Sequence, residues 1–241
     1  MKKIFLLAIF SFFSLILSAS DIYVVSVGIS RYKEIKSLRL PEPDAKAIAS
    51  LYKKKTKHVM LITGKYATKA NIIKCLESQF SRAKKDDIVV FFFSGHGYPG
   101  GFCPYDMSNN PSSGLSYSEV TSILKQTKAK RKVVFADACF SGRIRSNDAH
   151  STKYKEAEAI LFLSSRGGET SIESPFMVNG YFTSFLIRGL RGGADANHNK
   201  AITAKEIFQF VSQKVKQKSN DEQHPVMWGH FDDNDILMDW R

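Results

Sequence analysis

The chain has 241 residues, 43% hydrophobic and 24% charged, with 35 Lys and Arg against 23 Asp and Glu for a formal charge of +12. That apolar content supports a sizeable core in one domain and excludes disordered, collagen-like, coiled-coil and multi-span membrane chains. Cys75, Cys103 and Cys139 are too few for a disulfide framework and, being odd in number, leave at least one thiol without a partner in its own chain.

Met1-Lys2-Lys3 is a short basic start, Ile4 to Leu17 is almost wholly apolar, and Ser18-Ala19-Ser20 supplies small residues before Asp21. This is the layout of a secretory signal peptide, and the apolar run is shorter than the ~20 residues of a membrane anchor. The expected organisation is a signal peptide over residues 1–20 and one domain over 21–241, exported to the periplasm or medium with no stable membrane anchor. Losing Lys2 and Lys3 with the leader leaves the domain basic. Its charge lies at Lys53-Lys54-Lys55, Lys57, Lys125 to Lys132 and Lys214 to Lys218, without interleaved aromatics or a nucleic-acid motif. These runs read as solvated surface, attractive to anionic envelope polymers rather than to nucleic acid.

Ile22 to Ile29 is a β-branched apolar run, so a strand, and Pro41 to Lys54 places Ala45, Ile48, Ala49 and Tyr52 at helical spacing. The alternation continues with a strand at His58 to Ile62, a helix from about Thr68 with the stripe Ile72, Leu76 and Phe80, and a buried strand at Asp87 to Phe93. Gly95 to Gly114 reads as a loop, flexible from Gly100. Ser116 with Glu119 is a capping box for a helix burying Val120, Ile123 and Leu124. Lys132 to Ala138 and Ala159 to Ser164 are strands, with a flexible stretch at Arg143 to Lys155. Tyr181 to Leu190 is a helix, and Thr203 with Glu206 caps a last one carrying Ile207, Phe210, Val211 and Val215. Continuous apolar strands alternating with helices predict a three-layer α/β domain with a mostly parallel central sheet.

Ligands of such sheets bind beyond the carboxyl ends of the strands. One strand ends in Ser94-Gly95-His96-Gly97, another in Asp137-Ala138-Cys139-Phe140-Ser141-Gly142. A lone strand-end cysteine is commonly a packing residue. A histidine and a cysteine at two such ends make a nucleophile and its base, because imidazole takes the thiol proton and the thiolate attacks a carbonyl. The neighbouring glycines let substrate approach the backbone, with Gly97 N–H and Cys139 N–H as candidate oxyanion donors. Along extended strands Asp137 and Cys139 share a face, as do Ser94 and His96, each pair separated by ~7 Å.

In these two segments the chain resembles the caspase-like cysteine peptidases, and among them the bacterial metacaspase-like members. Pro43-Asp44-Ala45, Leu163-Ser164-Ser165-Arg166, Gly180-Tyr181-Phe182-Thr183 and Gly189-Leu190 extend the resemblance over nearly all of residues 21 to 230. It implies a caspase-type α/β/α sandwich and endopeptidase chemistry, with His96 as base and Cys139 as nucleophile. It also implies peptide or protein substrates with Arg or Lys at the cleaved bond, held by Asp44, Asp137 and Ser94. Two carboxylates in a narrow cleft attract a cation and repel an acidic side chain.

The chain departs from many metacaspases at Phe140, and their calcium-binding acidic cluster has no clear counterpart around Asp106, so no cofactor is expected by that route. A different calcium candidate is the loop Asp195-Ala196-Asn197-His198-Asn199-Lys200 with Glu206 at position twelve, an EF-hand pattern except that Lys200 stands where Gly is required. Glu206 is equally explained by its capping box, and His198, His224 and His230 lack metal-ligand spacing. Cys75 and Cys103 are open to either a disulfide or simple packing. The expected activity is that of an exported cysteine endopeptidase; the alternative is a catalytically silent caspase-like protein that binds peptides or envelope partners.

Overall fold

Runs of β-branched and aromatic residues become the strands of the protein, whose computed structural model describes residues 20–139, 158–165, 178–229 and 232–241. In chain order the strands are β1 (Ile22–Gly28), β2 (Val59–Thr63), β3 (Ile88–Tyr98), β4 (Gly101–Phe102), β5 (Leu115–Ser116), β6 (Arg131–Cys139), β7 (Ile160–Leu163), β8 (Ala201–Thr203), β9 (Val226–Gly229) and β10 (Ile236–Asp239). The helices are α1 (Pro41–Tyr52), α2 (Lys69–Phe80), α3 (Tyr117–Gln126), α4 (Tyr181–Arg188) and α5 (Ala204–Lys218). The main sheet runs β2-β1-β3-β6-β7-β9, parallel except at the antiparallel β7–β9 edge.

Because side chains alternate across a strand, each continuous apolar run feeds two cores. Val89, Phe91 and Phe93 of β3 pack with Ile72, Leu76 and Phe80 of α2 and Val120, Ile123 and Leu124 of α3. Ile88, Val90 and Phe92 pack on the opposite face with Ile48 and Tyr52 of α1, Phe182 and Leu186 of α4, and Ile207, Val211 and Val215 of α5. The expected three-layer sandwich is therefore present. Phe91, Phe92 and Phe93 are all fully buried, each contributing about 1.5–3 kcal/mol of transfer free energy.

Both capping boxes form: Ser116 and Thr203 accept from the N–H of Glu119 and Glu206, whose carboxylates return to the cap residues. Helix α4 is shorter than its expected span and gives way to a π-helical turn at Gly189–Gly193, where Gly192 has φ 112°.

Two expectations change. Strand β3 does not stop at Phe93 but runs through the histidine motif to Tyr98, because the β6 ladder extends to residue 96 and Gly97 and Tyr98 then pair with β4. The stretch from Gly100 to Gly114 is structured rather than a flexible loop, since it holds β4 and a 3-10 turn at Pro111–Ser113. Its Phe102 is fully buried, with ring centroids 4.7 Å from Phe93 and 5.1 Å from Tyr117. The other expected flexible stretch, Arg143 to Lys155, and the leader over residues 1–19 lie outside the described residues. Among the described residues no helix is long and apolar enough to cross a membrane.

Candidate active site

Strands β3 and β6 pair in parallel from Ile88↔Arg131 to His96↔Cys139, so the two motifs end on adjacent strands and the predicted base and nucleophile are register partners. Neighbouring strands lie ~4.8 Å apart. Ser94 and Asp137 are partners in the same ladder, two residues back. Cys139 is the last residue of β6; Phe140, Ser141 and Gly142 lie outside the described residues, as do Arg166 and His230.

His96 is fixed on three sides. Its N–H donates to the Tyr32 hydroxyl at 2.7 Å, its carbonyl accepts from Cys103 N–H at 2.9 Å, and its Nε2 lies 2.8 Å from the Lys36 carbonyl oxygen. A carbonyl only accepts, so Nε2 carries the proton and Nδ1 of the neutral ring is left as the basic nitrogen. The Tyr32 ring sits beside the imidazole, centroids 5.1 Å apart, and burial pushes its hydroxyl far above the usual tyrosine range. Gly95 makes room for this contact: a Cβ there would lie 2.5 Å from the Tyr32 hydroxyl. The His96–Gly97 peptide is trans, and its carbonyl points to Cys103 beside β4. Its N–H therefore points the opposite way, toward the β6 side.

The three residues predicted to bind substrate come together as well. Asp44 on α1 is 2% exposed, and its Oδ2 accepts from the Ser94 hydroxyl at 3.0 Å. Its Oδ1 accepts from Asn179 Nδ2 at 2.7 Å and Gly180 N–H at 3.1 Å. Asp137 is 8% exposed and accepts at Oδ2 from Thr183 N–H at 3.2 Å and the Thr183 hydroxyl at 2.7 Å. Both carboxylates thus sit at the N-terminus of α4, where free N–H groups and the helix dipole favour negative charge. Burial, and then the charge of Asp137, still hold the Asp44 carboxyl well above the usual carboxylate range, against the hydrogen bonds from Asn179, Ser94 and Gly180. Two acids here resist joint ionisation. Gly180 lies between them, since a Cβ on it would be 2.6 Å from Asp137 Oδ2 and 3.6 Å from Asp44 Oδ2.

Sequence reasoning missed Tyr32, the Lys36 carbonyl, Asn179 and the roles of Gly180 and Thr183. The Gly180 to Thr183 stretch carried a signal through the family resemblance, whereas nothing local marks Tyr32. The Ser164 hydroxyl accepts from Ala138 N–H at 3.2 Å and lies 3.3 Å from the Ala138 carbonyl, to which it donates, and so pins the peptide preceding Cys139.

Other candidates do not join the site. Cys75 and Cys103 are free, which decides for packing over a disulfide; burial pushes the Cys103 thiol up to about 12 and raises that of Cys75. Asp106 accepts from Lys69 N–H. In the EF-hand-like loop, Asp195 accepts from the N–H of Asn199 and Lys200, Asn197 from that of Asn199, and Glu206 from those of Ala196 and Thr203. These oxygens are occupied by their own loop. Among the described residues no group of three or more His, Cys, Asp or Glu is placed to hold a metal ion.

A histidine and a cysteine on adjacent parallel strand ends, within a helix-covered sheet, define the class of caspase-like cysteine peptidases. Residues 23–234 match the caspase domain, and the chain belongs to that family. Its fold is similar to that of a crystal structure of a Geobacter sulfurreducens protein, with a TM-score of 0.62 and 18% identity over 88% of this chain and 95% of the other. No curated protein shows significant similarity to the chain. Family membership makes the protein a cysteine peptidase in the general sense, with peptides or proteins as substrates.

Proposed function

We propose that the protein is an exported, metacaspase-like cysteine endopeptidase that cleaves after Arg or Lys, using His96 and Cys139. The observation that carries this reading is the His96↔Cys139 register pair, together with the Nε2 bond to the Lys36 carbonyl that leaves Nδ1 as base. Nδ1 takes the thiol proton and the Cys139 sulfur adds to the scissile carbonyl. Gly97 N–H and Cys139 N–H hold the resulting oxyanion. As the tetrahedral adduct collapses, the C–N bond breaks and the imidazolium protonates the leaving amine. Water, deprotonated by the same imidazole, then hydrolyses the thioester and regenerates the thiol.

Specificity rests on Asp44 and Asp137 flanking Gly180, with Ser94 beside them. A guanidinium or ammonium entering between two buried acids relieves the repulsion that keeps Asp44 from ionising, and an aspartate there adds a third carboxylate. Export rests on the leader, whose removal after Ser20 leaves β1 at the start of the mature chain. The deciding experiment is hydrolysis of a peptide panel varied only at the residue before the scissile bond, with Cys139→Ala as control. Turnover of Arg and Lys peptides is expected, and preference for Asp refutes the pocket.

A further inference from the structure

The described chain enters the sheet at Asp21. The Asp21 carbonyl accepts from Ile88 N–H at 2.9 Å, and the Asp21 N–H donates to Asp87 Oδ1 at 2.9 Å. Asp87 is buried, and its Oδ2 accepts from Lys84 N–H at 2.7 Å. Among the described residues no cation forms a salt bridge with it, so a carboxylate at the base of β1 and β3 is held by two neutral amides. Ser20 and Asp21 are exposed and line an open cleft of about 400 Å³ with Lys55, Arg131, Asp239 and Arg241. The bond between them is open to a processing peptidase.

Resting on the reading that a leader ends at Ser20, we infer that Asp87 is the binding site for the mature chain's own α-ammonium. Hydrolysis of the Ser20–Asp21 bond gives the Ser20 carbonyl the oxygen of water and leaves the Asp21 nitrogen as –NH3+. The neutral donor facing Asp87 Oδ1 becomes a charged one at the same place. Hydrogen bonds with an ionised donor and acceptor are roughly twice as strong as neutral ones. Other charges around this end are the Asp21 carboxylate, whose Oδ2 lies 3.9 Å from His58 Nε2, Arg82 at 3.3 Å from His58 Nδ1, and the charged residues of the cleft. Processing thereby strengthens the hold on Asp21, the residue just before β1, the strand that leads into the loop bearing Tyr32 and Lys36. The precursor holds that residue by the neutral bond alone.

The test compares protein released from a cleavable fusion so as to begin at Asp21 with the same chain beginning at Ala19, each with Asp87 and with Asp87→Asn, by urea unfolding. The Asp21 start is expected to lower the unfolding constant by about fivefold to tenfold, the worth of one charge-assisted bond over a neutral one, and Asp87→Asn is expected to erase that gain. Equal stability of the two starts, or a gain that survives Asp87→Asn, overturns the proposal. Should Asp87→Asn fail to fold, Nα-acetylation of the Asp21 protein gives the same decision: loss of the gain supports the ion pair and its retention overturns it. Mass spectrometry of the exported protein tests the leader separately. A first residue other than Asp21 overturns the reading of the leader, whereas the urea comparison alone decides whether Asp87 takes an ammonium.

Discussion

His96 Nε2 and the Lys36 carbonyl oxygen lie 2.8 Å apart, tying the imidazole to the loop between β1 and α1 and assigning its proton to the nitrogen engaged there. In the proposed mechanism this leaves Nδ1 as the base before any substrate arrives.

Cys139→Ala and His96→Ala are each expected to lower kcat/KM on a cleavable peptide by at least about a thousandfold while leaving the unfolding midpoint nearly unchanged, since the two groups act as a unit. Mass-resolved alkylation near neutral pH is expected to label Cys139 ahead of Cys75 and Cys103, whose thiols burial holds protonated. Equal labelling of all three argues against an activated thiol.

Tyr32→Phe removes the acceptor of the His96 N–H. Leaving that donor unpaired costs about 1–3 kcal/mol, readable by denaturant unfolding, and frees the ring to shift from its place beside Tyr32 and the Lys36 carbonyl. A fall in kcat with KM little changed is expected; unaltered stability and turnover would show that the hydroxyl positions nothing.

Asp44 makes opposite demands on folding and binding. Its folded pKa is raised, so between the unfolded and folded values the native state holds a proton that the unfolded state has lost, and stability falls as pH rises through that window. Asp44→Asn keeps a hydrogen-bonding side chain without the charge. It is expected to raise the unfolding midpoint at neutral pH and flatten its pH dependence, while depressing cleavage of Arg and Lys peptides. Pockets for uncharged residues have no such trade, and a variant that is neither stabilised nor slower refutes the buried acid's role.

Gly180→Ala and Asp137→Asn separate recognition from chemistry. The added methyl of the first would lie 2.6 Å from Asp137 Oδ2, between the two acids. Both variants are expected to lower kcat/KM for Arg and Lys peptides by about a hundredfold, as when a buried charge loses its partner. Thiol labelling at Cys139 should stay near the wild-type rate; loss of labelling in step with cleavage would place the damage at the nucleophile.

The layered fold was legible because its signals are local. The run Ile88 to Phe93 declares a strand buried on both faces, and Ser116 with Glu119 declares a helix start. The candidate site was legible to the extent that the structure pairs His96 with Cys139 and brings Ser94, Asp137 and Asp44 together, residues whose chemistry stands beside glycines or at an element's end. What could not be read depends on partners distant in the chain. Strand β3 extends past Phe93 only because β4 and β6 meet it, and Phe102 turns a Gly- and Pro-rich stretch into part of the core. Tyr32 and His96 are 64 residues apart, and no periodicity connects them. The loop at Asp195 illustrates the converse, a spacing that matches a metal motif while its oxygens cap their own backbone.

The proposed reacting pair, His96 and Cys139, is carried by the two central strands of the sheet rather than by loops laid over it. A slip of β6 by one residue along β3 would exchange the side chains of Val133 to Ala136 between the two cores, so the spacing of His96 and Cys139 is enforced by phenylalanines remote from them. Central strands open only with the whole domain. Heat inactivation of this peptidase should therefore coincide with global melting instead of preceding it, and the enzyme should tolerate altered surface loops better than a single lost methylene beneath the ladder.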